Sequence, residues 1–358
     1  MQTQQVAIDE TKMQNFMMKA VADMGAAAVC ATILLGEELG LYKAMAGAGP
    51  LTPSALADRT NTHPRLVQEW LNAQAASGYV TYNAGDGTYE LPPEQATALA
   101  DENSPMYIAG AFDVIAAMYA GDEKLAEGFR NGKGMGWKDH HPRLFGGTER
   151  FFRPGYRTFL TTAWLPALDG VVEKLERGAK VADVGCGHGA STIVMAETYP
   201  KSTFYGFDYH KPSIDTAQKR AKDAGLGDNV RFETKDAWSY AGVGFDLICF
   251  FDCLHDMGNP IGAAKHARTA LKDDGTVLLI EPMAADSVAE NLQSPIAPMF
   301  YAASTFLCTP NSISQGGEPA LGAQAGEKQL RDVFEKAGFS RFRRATETPF
   351  NLVLEARP

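Results

Sequence analysis

The chain has 358 residues, 45% of them apolar, and a formal charge of −10 at pH 7. That is enough apolar material for two domains with cores of their own, and the negative balance removes any general attraction for nucleic acid or an anionic membrane surface. Cys30, Cys186, Cys249, Cys253 and Cys308 stand in no CxxC or paired spacing, so buried free thiols in a reducing, cytoplasmic setting are expected.

No basic N-terminal region precedes an apolar stretch, so a leader peptide is not expected. Gly25–Leu35 is too short to span a bilayer and reads as part of a buried helix, since helical periodicity runs from about Gln14 to Leu35. Leu39–Ala46 predicts a short helix ended by Gly47. Thr52 is placed to cap a helix that carries Pro53 in its first turn and runs through Arg59. His63-Pro64 opens a further helix over Arg65–Ser77, closed by Gly78. Tyr79–Asn83, the turn Ala84-Gly85-Asp86-Gly87 and Thr88–Leu91 then read as a hairpin. Three helices followed by a hairpin make a winged helix.

Such a fold can read DNA, but the groove-entering helix here offers only Arg65 and Glu69 as charges. Between Glu37 and Glu90 there are six acids against three bases. Phosphate binding needs the opposite balance, so no nucleic-acid partner is expected. Pro105–Ala120 reads as helix. Gly128–Gly147 reads as a polar, glycine-rich surface loop holding Trp137, His140 and His141. Adjacent histidines do not easily share one ion, and no Cys or acid completes a ligand set, so no metal site is expected.

The most informative stretch is Val181-Ala182-Asp183-Val184-Gly185-Cys186-Gly187-His188-Gly189. Alternating glycines let the backbone make a tight strand-to-helix turn with no Cβ between it and a ligand. The dinucleotide motif, G-x-G-x-x-G, brings amides to a pyrophosphate. Here the third glycine comes one residue early, and Asp183 lies in the same turn. A carboxylate there suits an ammonium-bearing ligand and repels phosphate.

Ser202–Asp208 predicts a second strand ending in Asp208, about 20 residues past the glycines, where such folds bind ribose hydroxyls. Val230–Thr234 predicts a third, followed by Asp236-Ala237-Trp238. Phe245–Phe251 predicts a fourth, running into Asp252-Cys253-Leu254-His255-Asp256. Thr276–Glu281, introduced by a turn at 272–275, predicts a fifth. Acids at the C-terminal ends of strands in an alternating strand–helix order lie where open α/β sheets bind ligands.

These landmarks resemble the class I S-adenosylmethionine-dependent methyltransferases over residues 171–358. The resemblance extends to a closing segment at Gly338-Phe339 with two short C-terminal strands. Leu39–Ala44, Leu56–Thr60 and Leu71–Val80 are similar to the N-terminal domain of small-molecule O-methyltransferases. The resemblance implies an α/β chain. Its Rossmann-like domain would hold a seven-stranded, mostly parallel sheet, and a mainly α-helical winged-helix domain would precede it. It implies a winged-helix dimerisation domain over 1–104, a helical linker and pocket cover over 105–170, and a catalytic domain over 171–358. S-adenosylmethionine would be held by Asp183, Gly185, Gly187, Gly189, Asp208, Asp236, Ala237 and Phe251.

Leu254-His255-Asp256 and Glu281-Pro282 resemble the L-H-D and E-P of the O-methyltransferases, whose histidine is the general base. An imidazole with a pKa of about 6.5 suits that task at neutral pH. His255 and Asp256 are therefore the expected catalytic pair, with Asp252 a lesser candidate for ligand contact. Met257 stands where the family has tryptophan. The aromatic stretches Phe151–Tyr156 and Met299–Tyr301, with Phe306, match segments that cover the cofactor and line the acceptor pocket. The expected reaction is methyl transfer to a small, largely apolar acceptor at a hydroxyl, by a cytoplasmic homodimer. N- or C-methylation and a non-catalytic cofactor-binding regulator stay open as alternatives.

Overall fold

Proline and glycine mark many of the helix ends. The computed structural model describes residues 8–358, which divide into two units, one ending at Ala116 and the other running over Ala117–Pro358.

The first unit contains α1 (Glu10–Glu38), α2 (Leu41–Met45), α3 (Pro53–Thr60), α4 (Pro64–Ala76), the strands β1 (Thr81–Asn83) and β2 (Thr88–Glu90), and α5 (Pro93–Leu99). The Thr52 hydroxyl accepts from the Ala55 amide at 3.2 Å, and the His63 ring accepts from the Arg65 amide at 3.2 Å. Both caps stand just ahead of a proline at the helix start, as the sequence expects. The hairpin pairs Tyr82 with Tyr89 across an antiparallel ladder. Ile33, Leu41, Leu56, Val67, Trp70, Leu71 and Val80 fill the core. Within it the Tyr42 hydroxyl bonds Gln74 Oε1 at 2.6 Å, and Gln74 Nε2 bonds the Thr32 hydroxyl at 2.8 Å. This chain of satisfied polar groups ties α1, α2 and α4 in one register.

One expectation is overturned here. The helix carrying Gly25–Leu35 is 29 residues long, and only Ile33 and Gly36 on it are buried. Only its C-terminal part reaches the core, where Trp70 Nε1 bonds the Thr32 carbonyl at 2.8 Å. Met13, Phe16, Met17, Met18, Val21 and Met24 are exposed. By length and composition alone this helix could cross a membrane.

The boundary between the units falls inside α6 (Ala109–Ala120). This helix begins four residues later than the expected Pro105. Residues 105–170 do not form a unit of their own, because 105–116 cluster with the first unit and 117–170 with the second. The second unit continues with α7 (Asp122–Asn131), α8 (Arg143–Gly155) and α9 (Val171–Arg177). The sheet region runs β3 (Lys180–Val184), α10 (Ala190–Thr198), β4 (Thr203–Asp208), α11 (Lys211–Asp223), β5 (Val230–Thr234), β6 (Phe245–Phe251), α12 (Pro260–Ala270) and β7 (Leu271–Pro282). After it come α13 (Val288–Asn291), α14 (Ala297–Ala303), α15 (Thr309–Ser314), α16 (Gly326–Lys336), β8 (Arg341–Glu347) and β9 (Asn351–Arg357).

Seven strands form one sheet in the order β5-β4-β3-β6-β7-β9-β8. The first five are parallel, and β9 runs antiparallel to both β7 and β8. Alternate residues of each strand face opposite layers. Val181, Leu247, Cys249, Leu278 and Ile280 pack in one layer, and Ala182, Val184, Ile248, Phe250, Val277 and Leu279 in the other. Both faces are covered, which explains the unbroken apolar run Leu247–Phe251 in β6. The chain starts at β3, steps out to β5 and returns to β6 beside β3. The crevice at that reversal, past the strands' C-terminal ends, is where such sheets bind ligands.

Two local expectations need correction. The turn expected at 272–275 is absorbed into β7, with a shift in the β6–β7 register between Phe245 and Leu247. The expected loop at 128–147 holds the end of α7, a 3₁₀ turn at Trp137–Asp139 and the start of α8. His140 in that stretch is buried rather than on a surface loop.

Candidate active site

The cavity lies at the reversal point, inside the second unit. After β3, Gly185, Cys186, Gly187 and His188 line it. After β4 come Asp208 and Tyr209, after β5 Lys235–Trp238, and at the end of β6 Phe251, Asp252 and Cys253, then Asp256 and Met257.

The glycine loop is built for close approach. Gly185 sits at φ +78°, and a Cβ there would come within 2.7 Å of Cys253 Sγ. Gly187 sits at φ +52° with no atom within 4 Å of where its Cβ would stand, so a side chain there would reach into open cavity. The Gly187 amide donates to Asp208 Oδ2 at 2.9 Å, and the His210 amide to Asp208 Oδ1 at 2.8 Å. These bonds fix the Asp208 carboxylate at the cavity edge. Burial nevertheless pushes its carboxyl upward, against the two amides.

Asp183 is placed differently from the expectation. It is 1% exposed and lies outside the cavity wall. Its Oδ2 accepts from the Ser191 and Thr192 hydroxyls, both at 2.6 Å. Through this oxygen it ties the end of β3 to the first turn of α10, while its Oδ1 is buried without a hydrogen-bond partner. Burial raises its carboxyl to about 6 in spite of those two hydroxyls. Gly189 caps α10 at φ +78° and also lies behind the wall. Asp236, Ala237 and Phe251 line the cavity, as does Asp256.

At the end of β6 the chain makes a 3₁₀ turn over Leu254–Asp256. His255 is 5% exposed and Glu281 2%. The His255 Nδ1 and Glu281 Oε2 share a short hydrogen bond, and Glu281 Oε1 accepts from the Leu254 amide at 3.0 Å. Both carboxylate oxygens of Glu281 are thus spent on orienting this turn. Burial lowers the His255 pKa, but the Glu281 carboxylate outweighs it and Cys308 adds to the rise, so the imidazole stands well above its ordinary value. Asp256 is raised to about 7, chiefly by burial. His255 itself is not part of the cavity wall; its neighbours Asp256 and Met257 are.

The far wall joins the expected aromatics Phe152 and Tyr156 to residues the sequence did not bring forward as pocket-lining. Trp137, Phe145, Phe152 and Tyr156 line one side, and Asn311 and Gln315 another. Asn311 Oδ1 accepts from the Trp137 amide at 2.9 Å, while its Nδ2 donates to the Asp256 carbonyl at 3.0 Å. One side chain thereby joins the 3₁₀ turn at 137–139 to the turn over Leu254–Asp256. Of the expected aromatic segments, Phe152 and Tyr156 reach the cavity, whereas Phe151, Met299, Phe300, Tyr301 and Phe306 do not. Glu149 also lines it, paired with Arg220 at 2.5 Å. Among the described residues, no His, Cys, Asp and Glu cluster is grouped for a metal ion.

Comparison with known proteins agrees with this architecture. Residues 175–338 match the Methyltransf_31 family, a methyltransferase domain, and residues 27–101 match the Rv2258c-like winged HTH domain. The 27-O-demethylrifamycin SV methyltransferase of Amycolatopsis mediterranei is 30% identical over 121 residues, 33% of this chain and 44% of that protein. This chain thus spans less than half of that relative's length. Acetylserotonin O-methyltransferase of Rattus norvegicus is 26% identical over 347 residues, covering 89% of this chain and 72% of its own. The structure of human N-acetylserotonin methyltransferase in complex with S-adenosylmethionine superposes with a TM-score of 0.66 at 17% identity. It covers 99% of each chain.

Proposed function

We propose that this chain, a member of the class I S-adenosylmethionine-dependent methyltransferases with a winged-helix domain ahead of the methyltransferase domain, methylates a hydroxyl on a small, largely apolar acceptor. The observation that carries the reading is the buried His255–Glu281 pair at the end of β6, next to a cavity whose acids suit a cationic methyl donor.

The residues present fit that donor. Gly187 leaves room at φ +52° where any side chain would stand in the way. Asp208 is held by two amides in position for ribose hydroxyls, and Asp236 and Ala237 stand on the next strand's rim for the adenine. Asp183 and Gly189 support the loop from behind. When bound, the donor supplies an electrophilic methyl group on sulfonium, transferred by in-line displacement. The protein's part is to align the acceptor oxygen and keep water out, which the aromatic wall of Trp137, Phe152 and Tyr156 serves.

The remaining task is removal of the hydroxyl proton. Glu281 fixes His255 in one orientation and stabilises the imidazolium that forms when it takes that proton. Asp256, beside it on the wall, is placed to orient the acceptor. Replacing His255 with Ala tests the role. Loss of rate on a panel of phenols, with S-adenosylhomocysteine binding unchanged, supports the base; an unchanged rate removes it.

One observation favours a second reading. His255 is buried behind the wall rather than in it, which suits a structural pin for the turn, with N- or C-methylation by alignment alone or a non-catalytic binder of the cofactor. The same variant separates the two.

Beyond the site, the exposed apolar face of α1 supports a homodimer in which a second copy covers Met13, Phe16, Met17 and Val21. Light scattering of the purified chain at twice the monomer mass is the expected result. The unpaired cysteines support a reducing, cytoplasmic location. On α4, Arg65 is paired with Glu69, which favours the small-molecule reading of the winged helix over a DNA-binding one.

A further inference from the structure

Asp252 has features that neither the cofactor contacts nor the base require. It follows β6 directly and lines the cavity. Its backbone lies at φ +49°, one of only two non-glycine residues at positive φ among the described residues. The left-handed region is unfavourable for a residue with a Cβ and persists where surrounding structure enforces it, most often at functional sites. Here the enforcing contact is the Asp252 amide, which donates to the Ile280 carbonyl at 2.8 Å.

The carboxylate is only half satisfied. Asn351, the first residue of β9, donates from Nδ2 to Asp252 Oδ1 at 3.2 Å. Oδ2 is buried without a hydrogen-bond partner. A buried acceptor left open on a cavity wall is a place for a ligand donor. Two other acids of the wall are already engaged. Glu149 is paired with Arg220, and Asp208 takes two backbone amides. Burial and the nearby Glu281 carboxylate push the Asp252 carboxyl well above the usual carboxylate range. A cation is what lets such a group ionise in place, and an ammonium brings both the positive charge and the donors.

From this geometry we infer that Asp252 is a recognition residue that takes an ammonium group through its free Oδ2, with Asn351 holding the other oxygen. The inference rests on the reading of this cavity as the methyl-transfer site. Two sources share the chemistry: the amino-acid end of the cofactor, or an amine on the acceptor.

The test compares ligands with and without the amine on the unmodified protein and on Asp252→Asn, by calorimetry. The first series is S-adenosylhomocysteine against its deaminated analogue. The second is tyramine against 4-ethylphenol, titrated into protein saturated with S-adenosylhomocysteine. If the cofactor is the source, loss of its amine weakens binding at least tenfold in the parent, and Asp252→Asn removes that difference. If the acceptor is the source, tyramine binds at least tenfold more tightly than 4-ethylphenol, and the variant abolishes that preference without moving S-adenosylhomocysteine. Should the variant fail to fold, Asp252→Ser takes its place in both series. An amine preference below tenfold in both series overturns the inference, as does a preference that survives in a folded variant. Failure of S-adenosylhomocysteine to bind the parent at all overturns the methyl-transfer reading first, and the inference with it.

Discussion

The two sides of the cavity are built on different principles. On the glycine-loop side the chemistry is carried by backbone. Gly187 and His210 point amides at Asp208, and Asp183 works from behind through Ser191 and Thr192. The β6 side is built from buried ionisable side chains, His255 with Glu281 and Asp256 beside them, to which we assign the proton transfer. The first side can be rigid because a cofactor always presents the same groups. The second holds charges out of water, where each proton's position is tuned by its neighbours. Ribose and loop contacts should therefore govern cofactor affinity on one side, and the His255–Glu281 pair should govern turnover on the other.

The sharpest way to break that division is His255→Ala. Loss of a positioned base costs about 10²–10⁴-fold in kcat, with S-adenosylhomocysteine affinity within about twofold of the parent. A large loss of affinity would erase the distinction between the sides. The pair also predicts a pH profile. Because Glu281 raises the His255 pKa, the base is available only after deprotonation, so kcat rises with pH through neutrality into the alkaline range. Glu281→Gln should shift that rise toward lower pH and reduce the plateau, as read from kcat across pH 6–10.

On the opposite side, Gly187→Val places a branched residue at φ +52° and into the approach of the ligand. Cofactor binding should fall by about 100-fold or more because the side chain occupies the ligand's approach, while the αL strain of about 1–2 kcal/mol falls on folding stability. Asp208→Ala is milder. A charge-assisted contact of about 1.5–3 kcal/mol corresponds to roughly 10–100-fold in Kd, measured by calorimetry, with kcat at saturating cofactor little changed.

The smallest effect concerns stability. Asp256 has a folded pKa near 7, raised above its unfolded value, so its contribution to stability is present at low pH and is lost as pH rises through neutrality. His188 and His140 are lowered to about 4 by burial, and they oppose this only below about pH 6.5. Asp256 therefore lowers the stability of the unliganded protein as pH rises from about 4 to about 7, by up to about 1.4 kcal/mol per pH unit, and adds almost no slope above that. Asp256→Asn should flatten the slope seen in chemical denaturation.

The backbone-built side was the legible one. Gly185, Gly187, Asp208 and Asp236 are read from local spacing, because a strand, a turn and a strand-end acid are all short-range features. The hydroxyl partners of Asp183 were not legible, because they sit eight and nine residues on, at Ser191 and Thr192, inside the next helix. The side-chain-built side was less legible. Glu281 was present in the sequence as the head of an E-P pair, but its role depends on β7 lying beside β6, a pairing across 26 residues. Asn311 and Trp137 meet across 174 residues, which no local pattern discloses. The signal that could have found Trp137 is a large aromatic in a glycine-rich stretch with nothing apolar beside it in sequence. The exposed course of α1 was missed for a related reason, since periodicity shows an apolar face but not what covers it.

The most direct test of the account is to incubate the protein with S-adenosylmethionine carrying a CD₃ group and a panel of phenols, and to locate the label by mass spectrometry. The account predicts a trideuteromethyl ether on at least one phenol, formed by the parent and lost in His255→Ala. Label found on nitrogen or carbon, or an ether formed equally well by the variant, would contradict it.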